Sequence, residues 1–190
     1  MEIITFVIIG MIVAVLLYGV MIYNNLVSLK HAITKAWSNI DILLKQRHDE
    51  LPKLVATCKQ YMQYEQETLE RVMKARSAVS SAMQKGDVGA VGSAESQLRL
   101  GLGNLFAVAE NYPELKANES FLHLQSRITG LENSIADRRE FYNESVNNNN
   151  VRIEQFPDVI LANWFQFLPA ELLEFDENEI SDVNVGALFT

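Results

Sequence analysis

The chain has 190 residues, 48% of them hydrophobic, and a formal net charge of −8 with 16 Lys/Arg against 24 Asp/Glu. That length and apolar content support one domain with a real core, and the acidic balance argues against a nucleic-acid partner. A single cysteine, Cys58, forms no intramolecular disulfide and fits a reducing compartment.

Apolar residues concentrate at the start. Residues 3–22, IITFVIIGMIVAVLLYGVMI, hold no charge, and Thr5 is the one side chain that is neither apolar, aromatic nor Gly. Twenty helical residues rise about 30 Å, the hydrocarbon thickness of a bilayer. A signal peptide would want a basic n-region and a small-residue cleavage site, which this stretch lacks. The spacing therefore predicts a transmembrane anchor over 1–22. Lys30 and Lys35 lie just beyond it, and only Glu2 and the terminal amine precede it, so the positive-inside rule favours N-out, C-in.

Beyond the span, Leu26, Leu29, Ile33, Trp37, Ile40 and Leu43/Leu44 follow a three–four alternation, the stripe of an amphipathic helix. No Gly or Pro interrupts residues 20–51, so span and stripe read as one continuous helix. Pro52 lacks an N–H and crowds the preceding turn, predicting a kink or restart there, with Asp49 as N-cap. The joint is thus expected at Asp49 and Pro52. Arg47 and His48 would end one helix, while Asp49 and Glu50 would begin the next.

A second helix is expected through Leu54, Cys58, Met62, Leu69 and Val79 to about Met83. QKGDVGAVGS, residues 84–93, reads as a loop because glycines at 86, 89 and 92 weaken a helix. Ser93 would cap a third helix with Leu98, Leu102, Leu105 and Ala109 on its stripe; Gly101 and Gly103 within it predict close approach of a neighbour. Pro113 marks a boundary before a long helix over 114 to about 155, in which the asparagines 147–150 are weak helix formers.

FPDVILANWFQFLPAELLEF, residues 156–175, packs Phe156, Trp164, Phe165, Phe167 and Phe175 between two prolines. Two readings stand: a plug for one end of a bundle, or a docking or membrane-surface element. Trp164, Phe165, Phe167, Phe175 and Phe189 are the candidate oligomer or docking contacts. Residues 176–190 form an acidic tail, in which Val183, Val185 and Leu188/Phe189 suit a short extended segment.

Charge is uneven. Residues 23–85 carry ten Lys/Arg against six Asp/Glu (+4), and 86–190 carry six against seventeen (−11). Basic residues beside a membrane favour anionic headgroups by about 1 kcal/mol each; alternatively, opposite faces of one bundle or of neighbouring copies attract.

Catalytic patterns are missing. There is no G-x-G-x-x-G, no G-x-x-x-x-G-K-[ST], no G-x-S-x-G and no Glu-x-x-His pair. Cys58 sits on an apolar stripe and reads as core. Neither catalytic, cofactor-binding nor metal residues are assigned.

YNNLVSLKHAITKAWSNIDILLKQRHDELPKLV, TLERVMKAR, ENYPELKANESFLHLQSRI and ENSIADRREFYNESVNNNNVRIEQFP together resemble the LemA family of bacterial membrane proteins. The likeness runs from Tyr23 to about Phe175; AWSNID, YPELKA and the RR-x-(F/Y)-YN-x-x-V block carry it. It implies an all-α protein, a transmembrane helix followed by an antiparallel bundle of about four helices over 23–175 ending in the aromatic-rich segment. It also implies no enzyme activity and no cofactor, a place in the bacterial inner membrane, and a link, for some relatives, to internal membrane compartments. The expected function is a non-enzymatic homo-oligomeric scaffold that organises or remodels the bilayer. An adaptor presenting a bundle face to a signalling or proteolytic membrane partner is the alternative. A ligand- or metal-binding enzyme, with a cavity lined by His48, Cys58 or Arg139, is the third reading.

Overall fold

Helix α1 runs unbroken from Glu2 to Lys59. It joins the apolar stretch to the amphipathic stripe as expected, since no Gly or Pro stands between them. A computed structural model describes residues 2–175; the acidic tail and Phe189 lie outside the described residues. Five more helices follow: α2 (Gln66–Lys85), α3 (Val88–Ala109), α4 (Pro113–Lys116), α5 (Glu119–Glu154) and α6 (Asp158–Trp164), with no strand among the described residues. The all-α expectation holds.

The expected joint at Asp49 and Pro52 does not form: Pro52 is inside α1, and the chain reverses at residues 60–65. Pro52 cannot donate to the carbonyl of His48, four residues back. That carbonyl instead accepts from Arg76 Nε of α2 at 2.9 Å. With its orphaned acceptor satisfied from outside, the helix continues another seven residues. The actual reversal starts where Tyr61 and Met62 N–H both donate to the Cys58 carbonyl, at 3.0 and 2.9 Å.

The glycine-rich loop is also shorter than expected. Only Gly86 and Asp87 separate α2 from α3. Gly86 takes the left-handed φ of 68° that ends α2, and the Asp87 N–H reaches back to the Ala82 carbonyl. The Asp87 carboxylate then accepts from Ala90 N at 2.9 Å. Asp87, not Ser93, is the cap of α3. Gly92 is inside α3 for a different reason: a Cβ there would sit 1.9 Å from the Glu174 carbonyl oxygen, so the missing side chain admits the returning chain. Gly101 faces Val72 of α2 at ordinary contact distance, the close approach expected of it, whereas Gly103 has open space.

Two compact units divide the chain. Among the described residues one comprises Asn39–Arg139 and 172–175. Its successive helices fold back on one another around Leu51 and Leu54 of α1, Met62 of the reversal, Val72 of α2, Leu98 and Leu105 of α3, Leu115 of α4, and Phe121 and Ile128 of α5. Asn118 caps α5 by accepting from Phe121 N, and its amide donates to Tyr61 Oη at 3.1 Å.

The other unit comprises the chain up to Ser38 and Glu140–Glu171. Ile22, Leu26, Ile153 and Ala162 form its small core, with Leu161 and Phe167 packed on it. The four asparagines stay helical. Asn150 explains part of that run: its amide donates to the Ala170 carbonyl and accepts from the Ala170 N–H, both at 2.9 Å. One side chain thereby imitates a strand neighbour for the segment after α6.

Candidate membrane-facing site

Within the unit that holds the N-terminal part of α1, α6 lies against the last turns of the apolar stretch. Val15, Leu16, Gly19, Ile22 and Tyr23 of α1 face Ile160, Leu161, Trp164 and Phe165 across an apolar groove of about 650 Å³. The Tyr23 ring meets Phe165 edge-on at 4.8 Å and Phe167 at 5.9 Å, and Trp164 stacks on Phe165. Polar anchoring comes from the other side of α6. Asp158, buried, accepts from Arg152 Nε at 2.8 Å. Ala162, one turn on, is buried in the core.

Around α6 large apolar side chains are turned outward. Phe156 is 82% exposed, Trp164 79%, Leu168 76% and Ile160 56%. Such groups on a water-facing surface would be costly, at about 1.5–3 kcal/mol for a large apolar side chain left wholly exposed. The plug reading fails for them. Of the five residues singled out by sequence, Trp164, Phe165 and Phe167 come together here. Phe175 belongs to the other unit, where the Arg139 guanidinium lies 3.9 Å from its ring centre, and Phe189 is outside the described residues. Ile160 and Leu168 were not singled out, although Phe156, Ile160, Trp164 and Leu168 recur at intervals of four in the sequence.

Lys30 and Lys35 are both exposed on α1, eight and thirteen residues past Ile22, or about 12 and 20 Å along the helix. Lys30 stands near one Debye length from the end of the apolar stretch and Lys35 well beyond it.

Arg47 to Glu50 are not a helix end. Arg47, 2% exposed, donates to Glu95 of α3 and Glu132 of α5. Burial works against its charge, but the two carboxylates outweigh that and raise its pKa. Glu50 takes Arg127 Nε at 3.0 Å and Lys53 Nζ at 3.1 Å. His48 lines a shallow groove with Asp41, Lys45, Ser80, Met83 and Gln84. Its pKa is lowered by burial and by the Arg76 charge, with Asp49 opposing. Cys58 is wholly buried, and burial pushes its thiol up to about 11. Neither Cys58 nor Arg139 lines the His48 groove. Among the described residues no cluster of three His, Cys, Asp or Glu is placed to hold a metal.

Among the described residues one helix, α1, is long and apolar enough to cross a membrane, and its apolar window is not buried. The profile of the LemA family matches residues 36–186. Among curated proteins the chain is similar to magnetosome protein MamQ 2 of Paramagnetospirillum magneticum, 24% identical over 86% of this chain and 68% of that one. MamQ of Magnetospirillum gryphiswaldense is 23% identical, over 74% and 60% respectively. Protein LemA of Metamycoplasma hominis is 28% identical, over 87% and 74%. With the profile spanning most of its length, the chain belongs to the LemA family.

Proposed function

We propose that this LemA-family chain is a non-enzymatic scaffold, anchored by one pass through the bacterial inner membrane, whose copies associate side by side and order or bend the bilayer beneath them. Membrane association itself rests on α1 together with the family. The lateral assembly rests on the charge imbalance along the chain, +4 over 23–85 against −11 over 86–190. Attraction between unlike surfaces on successive copies is a heterologous contact, which yields a ring when it closes and a filament when it does not. The exposed Lys30 and Lys35 favour the C-terminal side of α1 facing the cytoplasm and its anionic leaflet.

The protein in mild detergent, and again in lipid nanodiscs, should show a mass of several chains that falls as salt is raised. A monomer at low salt with every residue intact refutes the scaffold. Recovery of a foreign protein by crosslinking from engineered surface cysteines, in place of self-crosslinks, would favour the adaptor instead.

A further inference from the structure

We propose that α6 and its flanks are a second membrane-inserted element, an aromatic foot sunk into the leaflet where α1 leaves the bilayer. The occupant of its exposed face is lipid. The inference rests on α1 crossing the membrane, but not on self-assembly.

The argument is one of depth. The groove partners of α6 run from Val15 to Tyr23, the final turns of the uncharged stretch. If residues 3–22 fill the hydrocarbon, Val15 lies about 10 Å below Ile22. A helix that packs on Ile22 and shares one groove with Val15 and Leu16 must then lie at the level of these last turns. Interfacial helices bury their apolar face by about 5–10 Å, so the required depth is an ordinary one.

The chemistry of the segment agrees. From Val159 to Ala170 there is no ionisable side chain. The exposed polar groups, Asn163 and Gln166, are uncharged. Asp158, the one charge within α6, is turned inward onto Arg152, and the exposed Glu154 and Glu171 bound the segment at either end. Backbone donors leaving α6 find partners: Phe165 N–H donates to Leu161 O and Phe167 N–H to Ala162 O, both at 2.9 Å, a need that is greatest near hydrocarbon. Trp164 stacked on Phe165 beside Tyr18 and Tyr23 is the aromatic composition found at membrane–water boundaries.

The test uses the full chain in nanodiscs of phosphatidylcholine and phosphatidylglycerol carrying bromine on the upper acyl chain. Trp37→Phe leaves Trp164 as the only indole. Its emission should shift to the blue and lose most of its intensity relative to unbrominated lipid. A companion variant, with both native tryptophans changed to Phe and Leu16→Trp, reports on the span. Quenching of both reporters supports the foot. Quenching at position 16 alone overturns the foot and leaves the span standing, including the case in which Trp164 is blue-shifted by a covering protein surface. Quenching of neither overturns both.

Discussion

Replacing Arg47 by methionine should be among the most damaging single changes outside the apolar core. The guanidinium is 2% exposed and is shared between Glu95, 3% exposed, and Glu132, at 19%. Methionine fills most of the aliphatic volume, so the loss is electrostatic rather than a cavity. Removing one partner of a buried ion pair typically costs about 3–5 kcal/mol, because the remaining charge is left without compensation. Glu132 reaches solvent and softens its own share, whereas Glu95 does not, placing the expected loss near the lower end, about 3 kcal/mol. Set against a total stability of about 5–15 kcal/mol, that is a large fraction. For a unit of roughly 100 residues it corresponds to a fall in melting temperature of at least about 12 °C.

The assay is thermal and urea unfolding of the full chain in detergent, followed by far-ultraviolet circular dichroism. Arg47→Met combined with Glu95→Leu should recover most of the loss, since a hydrophobic pair of similar volume often matches or exceeds the ion pair it replaces. Among the described residues Arg47 Nε has no hydrogen-bond partner, so the native cluster itself carries an unmet donor. A single variant within about 0.5 kcal/mol of wild type, the range of an ordinary surface change, or a double variant worse than the single, refutes the reasoning.

Other changes test other contacts. Arg76→Met should cost about 1.5–3 kcal/mol in the wild-type background, since it strands the His48 carbonyl, and clearly less beside Pro52→Ala, which restores the backbone donor; an equal cost in both, measured by a double-mutant cycle in urea, would dissolve the link. Gly92→Ala puts a methyl 1.9 Å from the Glu174 carbonyl oxygen. It should cost about 1–3 kcal/mol through overpacking and speed chymotrypsin cleavage near Leu172–Leu173, unaltered cleavage being the contrary result. With its thiol at about 11 and no exposure, Cys58 should ignore thiol reagents at pH 8 until urea unfolds the protein. His48 should titrate by NMR below its ordinary value of 6.5. A depressed imidazole favours the neutral form in the folded chain, so its contribution is fully present above 6.5 and is lost as pH falls towards the folded value; a midpoint above 6.5 contradicts this.

Much of this fold could be read from local pattern. The uncharged stretch, the stripe from Leu26 to Leu44 and the Pro113 boundary all depend on residues near one another in sequence, and all appear in the structure. The expectations that failed at Pro52, Gly92 and Asn150 depended on distant partners. Pro52 is a helix breaker by local chemistry, and only Arg76, 24 residues away and on another helix, lets α1 continue. The glycine at 92 weakens a helix in isolation, yet its space is taken by a carbonyl 82 residues later. Asn150 looks like a poor helix residue until Ala170 supplies the backbone pair it bonds. In each case a local penalty is offset by a tertiary contact that no window of sequence contains.

The aromatic segment follows the same logic with the opposite outcome. Composition showed that residues 156–175 held too many large apolar groups to leave wet, and a protein interior was the obvious place for them. The core of the unit that holds residues 156–171 is small, however: Ile22, Leu26, Ile153 and Ala162, with room for Leu161 and Phe167. Asp158 and Ala162 take the inward positions of α6, which forces Ile160 and Trp164 to its other face. The helix register therefore decides which aromatics serve the fold and which remain for another medium. In the proposed foot that medium is the bilayer, met by Ile160 and Trp164 of α6 and by Phe156 and Leu168 from the non-helical flanks on either side.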